Sequence, residues 1–138
     1  MFARAAIAGA VCLAVTLSGC SLSPTKTSGS AGFTGTKANV ATALNLLASD
    51  ASSTDGADIC KNVLAATVRN RLNKIGTCET IINDQLKTAD DSTLTIKSIA
   101  LADKSNATAR VQTVHNGDKV VSTVTLVKTG GAWRVASI

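Results

Sequence analysis

The sequence predicts an α+β fold, with helices first and strands after. Three observations carry this. Over residues 40–86 apolar side chains recur at three and four. Over residues 94–137 they recur at two. The pairs Asn116-Gly117 and Gly130-Gly131 then cut the second half into segments of strand length. Helices gathered before strands place them on one face of an antiparallel sheet rather than alternating through a parallel one.

Before the first helix stands Leu17-Ser18-Gly19-Cys20, at the end of an apolar run over residues 5–17 that Arg4 precedes. The run is short and built of small side chains, so it reads as a secretory signal and not as a membrane span. The tetrapeptide resembles the bacterial lipobox, in which the chain is cut before the cysteine and the cysteine is acylated. On that reading residues 1–19 are removed. Cys20 carries the lipid, palmitate among its acyl chains, and the product sits on the extracytoplasmic face of the cell membrane. More than one acyl chain on one cysteine meets the requirement for stable anchoring. The alternative is an ordinary secretory signal that happens to end in cysteine.

Residues 20–36 follow as a spacer rich in Ser, Thr and Gly, with the sole proline, Pro24. Such a composition buries too little apolar surface to offset its ordering entropy, so a flexible reach of roughly 20–25 Å is expected. Phe33 is the one large apolar residue here, read as a staple against the first helix.

The domain proper is expected over residues 37–138. Val40, Ala41, Leu44, Leu47 and Ala48 form the apolar stripe of a first helix, with Thr36 as its N-cap and a loop over residues 49–56 as its end. Ile59, Val63, Leu64, Val68 and Leu72 continue at helical spacing. Gly76 breaks the run, and Thr77 caps a last helix carrying Ile81, Ile82 and Leu86.

The chain has four cysteines. With Cys12 lost in the signal and Cys20 acylated, Cys60 and Cys78 are left as a pair in an exported chain, which points to a structural disulfide. The alternatives, a redox-active or metal-binding pair, lack a Cys-x-x-Cys motif and have a single histidine to draw on.

In the strand half, Leu94 and Ile96 are out of phase with Ile99 and Leu101, which predicts a bulge at Lys97-Ser98. Asp90-Asp91-Ser92 and residues 103–106 read as turns. The sequon Asn106-Ala107-Thr108 reads as part of the second turn. Ala107, Ala109, Val111 and Thr113 share one face of the next strand. Val120, Ser122, Val124 and Leu126 share one face of the strand after Asn116-Gly117, and Trp133, Val135 and Ser137 one face of the last. His115 reads as a solvated hairpin residue. Trp133 reads first as core packed under the helices, and second as a side chain on which a ligand stacks.

The net charge is +5, but the basic residues are scattered and only Arg69, Arg71 and Lys74 cluster. With no tyrosine, two phenylalanines and one tryptophan there is no aromatic interleaving, which argues against a nucleic-acid partner. Weak attraction to anionic headgroups fits a tethered basic domain. No catalytic residues, no metal ligands and no cofactor motif are read from the sequence.

A helical half with a cysteine pair, followed by a meander ending in Gly130-Gly131-Ala132-Trp133-Arg134-Val135, resembles small NTF2-like (cystatin-like) domains, in particular actinobacterial lipoproteins with a terminal Gly-x-Trp-Arg strand. The resemblance covers about residues 37–138. It implies a cone, in which a curved sheet of about four strands wraps a helix. Enzymes of that family such as ketosteroid isomerases use a pocket tyrosine and aspartate, and this chain has no tyrosine. The expected function is therefore a membrane-anchored, non-enzymatic module that binds an envelope protein or a small apolar ligand. A surface lipoprotein without ligand, and an enzyme with a degenerate pocket, are the alternatives.

Overall fold

A computed structural model describes residues 32–88, 93–115 and 117–137. Cys20, the signal and spacer up to residue 31, the Asp90-Asp91-Ser92 turn and Asn116 lie outside the described residues.

The first helix, α1, is Thr36–Ser52. Its cap is Gly35 and not the expected Thr36, which is the first helical residue. Gly35 has φ 58°, a left-handed value that favours glycine, and its carbonyl accepts from the Ala38 amide at 3.1 Å. The helix also runs further than the Ser-rich segment suggested. Ser52 Oγ donates to the Ser49 carbonyl at 2.7 Å, and the Asp55 amide to the Asp50 carbonyl at 2.9 Å, so the terminal carbonyls are satisfied within the turn.

The expected second helical stretch is interrupted. A helical turn, α2 (Gly56–Asp58), is capped by the Asp55 side chain, which accepts from the Asp58 amide at 2.9 Å. It leads into a π-helical turn over Ile59–Val63, closed by the Leu64 amide donating to the Ile59 carbonyl at 2.9 Å. Leu64 and Ala65 are then extended, and α3 resumes over Ala66–Leu72. The cause lies in the sheet: the Ala65 amide donates to the Val135 carbonyl at 2.8 Å, so it is unavailable for a helix. After the Gly76 break, α4 spans Cys78–Thr88. Thr77 caps it as expected, its Oγ1 accepting from the Thr80 amide at 3.4 Å.

The sheet is an antiparallel meander in the order β1-β2-β3-β4: Thr93–Leu101, Asn106–His115, Asp118–Thr129 and Ala132–Ser137. The predicted bulge is present, since pairing with β2 shifts between Ile96 and Ser98 and skips Lys97. Helix α1 packs on both β1 and β4, the two outer strands, so the sheet curls round it. Val40, Ala41 and Leu44 of α1 meet Ile96, Ile99, Ala109, Val111, Val124, Leu126, Trp133 and Val135 in one core. The fold is α+β, with the helices on one face of the meander.

One predicted face is buried over only half its length. Val124 and Leu126 are fully enclosed, but Val120 is 55% exposed and Ser122 half-buried. Strand β4 pairs only with Thr125–Thr129, so the β2–β3 hairpin runs on past the layer that covers its base.

Candidate interaction surface

Cys60 and Cys78 are joined in a disulfide whose Cα atoms are 6.1 Å apart. Both cysteines are buried, and the bridge ties the π turn to the start of α4. Asn73 assists by accepting from the Cys78 amide at 2.9 Å. Two arginines fasten the same turn to its surroundings: Arg134 Nη1 donates to the Lys61 carbonyl at 2.9 Å, and Arg69 Nη1 to that of Cys60 at 3.4 Å. Arg69 thus serves the fold, and the small basic cluster it belongs to is in part structural. Gly56 is buried because its amide meets Asn83 Oδ1 at 2.9 Å, and a Cβ there would collide with the Asn83 side chain.

Trp133 is 5% exposed and packs in the core, and its Nε1 is buried with no hydrogen-bond partner among the described residues. The 103–106 turn is built as the sequence predicts. Asp103 Oδ1 accepts from the amides of Ser105 and Asn106 at 2.6 and 2.9 Å, and Asp103 Oδ2 from Asn106 Nδ2 at 2.8 Å. These bonds, that from Ser105 first, hold the Asp103 carboxyl below its ordinary value. Among the described residues no three His, Cys, Asp or Glu side chains gather as a metal site, and no helix is long and apolar enough to cross a membrane.

One acidic group was not singled out in the sequence. The Asp50 carboxyl is pushed up to about 6, first by desolvation, then by hydrogen bonding to Asp58 and repulsion from Asp58 and Asp55. Its Oδ2 is buried and accepts no hydrogen bond among the described residues, which is the desolvation that disfavours its charged form. The Asp55 cap was missed in the loop read over residues 49–56, although an aspartate before a helical turn is its signal. The Asp50–Asp58 approach was not legible, because it depends on how the loop between them closes.

The surface that stands apart is the hairpin end of the sheet. Val111, paired with Ser122, is still in the core, but the next pair on that side, Thr113 with Val120, leaves Val120 uncovered. There Val120 is 55% exposed, and Val121, on the opposite side of the same strand, 49%. Adjacent exposed valines on a strand end are an apolar feature that solvent alone does not favour.

No protein-family model matches the chain, and no curated protein is similar to it in sequence. Among solved structures it is similar to a crystal structure from Campylobacter jejuni that carries a provisional NTF2-like transpeptidase assignment. The TM-score is 0.44 and the identity 18%, over 65% of this chain and 90% of that one.

Proposed function

We propose that this chain is a lipid-anchored, extracytoplasmic binding module of NTF2-like architecture, tethered through Cys20, without enzymatic activity, and engaging an envelope protein with the hairpin end of its sheet. The observation that carries the binding part is the exposure of Val120 on the face that elsewhere forms the core. An apolar residue left uncovered on a half-wrapped sheet gains free energy when a partner covers it, about 25 cal/mol for each Å² of apolar surface removed from water. Export is supported by the Leu17-Ser18-Gly19-Cys20 segment and by the buried Cys60–Cys78 bridge, a feature of oxidising compartments.

The test is a photo-crosslinking side chain placed at Val120 in living cells, with the same group at Lys104, on the far turn of the β1–β2 hairpin, as comparator. One reproducible adduct with a different protein at Val120, absent at Lys104, is the expected result. The intact mass of the recovered chain should begin at an acylated Cys20. A chain starting at Met1 with an unmodified Cys20 would overturn the anchoring. Identical adducts at the two positions would overturn the binding surface.

A further inference from the structure

We infer that the free edge of β3, residues 118–124, is a pairing site for a second copy of this chain, joining two four-stranded sheets edge to edge. The inference rests on backbone register and is independent of the anchoring and partner readings above.

The register decides which way each backbone group of β3 points. The Lys128 amide donates to the Ser105 carbonyl at 2.7 Å, on the β2 side. Pairing of β2 with β3 then runs without a shift from Asn106↔Val127 to His115↔Asp118. In an antiparallel ladder hydrogen-bonded positions alternate, so even-numbered residues of β3 turn their amides and carbonyls to β2 and odd-numbered ones away from it. From Thr125 onward the outward groups meet β4, where Thr125 pairs with Ser137 and Val127 with Arg134. Lys119, Val121 and Thr123 face the same way, and no strand pairs with them there among the described residues. All three are exposed.

The slot is self-complementary. Centre a twofold axis on Val121 and it meets its own copy, while Lys119 of each copy meets Thr123 of the other. All three outward residues then lie in hydrogen-bonded pairs, each exchanging two N–H···O=C bonds. Lys119 faces a threonine and Asp118 faces Val124, so no like charges oppose one another. Neighbouring registers are worse on both sides. Moved one way, Thr123 meets Gly117, which sits in the turn with φ 86°. Moved the other way, Lys119 meets Thr125, whose outward groups are already taken by β4. The end of β4 and the hairpin turn therefore bound a slot that admits one symmetric register in full. A strand edge of this length buries less than the roughly 800 Å² per partner of a standard interface, so the pair forms and dissociates with concentration.

The test uses the full chain as isolated from cells, in wild-type form and as V121P, V121K and V121C. Proline at residue 121 removes an amide that faces away from β2, leaving the β2–β3 ladder intact. Lysine there sets two positive charges opposite each other across the axis. The expected results are a concentration-dependent dimer in sedimentation equilibrium and a dimer Kd raised about tenfold or more in V121P and V121K. Thermal unfolding of the monomer should be unchanged in both. Under mild oxidation V121C should cross-link to itself, because opposite Cα atoms about 5.5 Å apart suit a disulfide, whereas Lys104→Cys should not. The V121C result stands even if the proline or lysine variant folds poorly. A wild-type chain that stays monomeric to millimolar concentration overturns the inference, as does a dimer indifferent to V121K. Amides of Lys119, Val121 and Thr123 protected from exchange in the monomer would overturn it as well, by placing another segment of the chain in the slot.

Discussion

The Ala65 amide donates to the Val135 carbonyl at 2.8 Å, and Leu64 beside it bridges Val135 in parallel. This contact fixes the helical half to the last strand. It also explains why the helical path breaks at Leu64 and Ala65 before α3 starts at Ala66. Leu64, Ala65 and Val135 are all buried, so the hydrogen bond forms away from competing water.

Ala65→Pro isolates that bond. Ala65 sits at φ −64°, ψ 150°, which suits proline, and Leu64 at φ −81°, ψ 141° suits the residue before one. Leaving the Val135 carbonyl unpaired should cost about 1–3 kcal/mol. A stiffer unfolded chain returns about 0.4–1 kcal/mol. The urea midpoint should fall with an unchanged slope. A midpoint equal to that of the parent would mean that the carbonyl finds another donor.

Replacing both Cys60 and Cys78 by alanine should destabilise the domain by about 3 kcal/mol, the scale expected for closing a loop of this size. The double variant avoids leaving a lone buried thiol. Hydrogen exchange should rise first in α4 and the π turn, which the bridge joins. Uniform loss of protection across the sheet at the same denaturant would contradict that order.

Asp50 makes stability depend on pH in a direction opposite to most carboxylates. Its folded pKa is raised to about 6 from an ordinary 3.8, so the folded chain holds a proton that the unfolded chain releases. The contribution is present at acid pH and is lost as pH rises through about 6. Asp50→Asn keeps a donor for Asp58 and removes the titration. The variant should melt above the parent at pH 7.5, and the gap should close as the pH falls below 5. A constant gap across this range would show that Asp50 does not titrate as assigned.

Trp133→Phe should cost less than half as much as Trp133→Ala. The alanine variant empties a core site, a loss of about 3–5 kcal/mol. The phenylalanine variant keeps most of the packing and removes an indole N–H that is buried without a partner. Chemical denaturation of the two variants side by side measures the ratio. Equal losses would mean that Nε1 has a hydrogen-bond partner the described residues do not include.

Much of this was legible from residue spacing, because spacing reports local geometry. Alternation marked the four strands, Gly130-Gly131 their last turn, and the phase change at Lys97-Ser98 the bulge. The Thr77 cap and the break at Gly76 were read from residue type alone, since both act within a few residues. The break at Leu64-Ala65 was not legible. Leu64 fits the helical stripe, and the bond that overrides it, at Ala65, comes from Val135, far along the chain. The exposure of Val120 was hidden for a similar reason. Its alternation is that of a buried strand, and only the reach of β4 and the placing of α1 leave it uncovered.

The sequence by itself thus determined the class of fold and the order of its elements, because periodicity and turn chemistry are local properties. The tertiary structure alone decided where the helical half is pinned to the sheet, which carboxyl is raised above its ordinary value, and which length of β3 lies open. Each of these depends on surfaces brought together from distant parts of the chain. Desolvation at Asp50, the Ala65–Val135 bond and the unpaired edge at Val121 exist only once those surfaces meet or fail to meet.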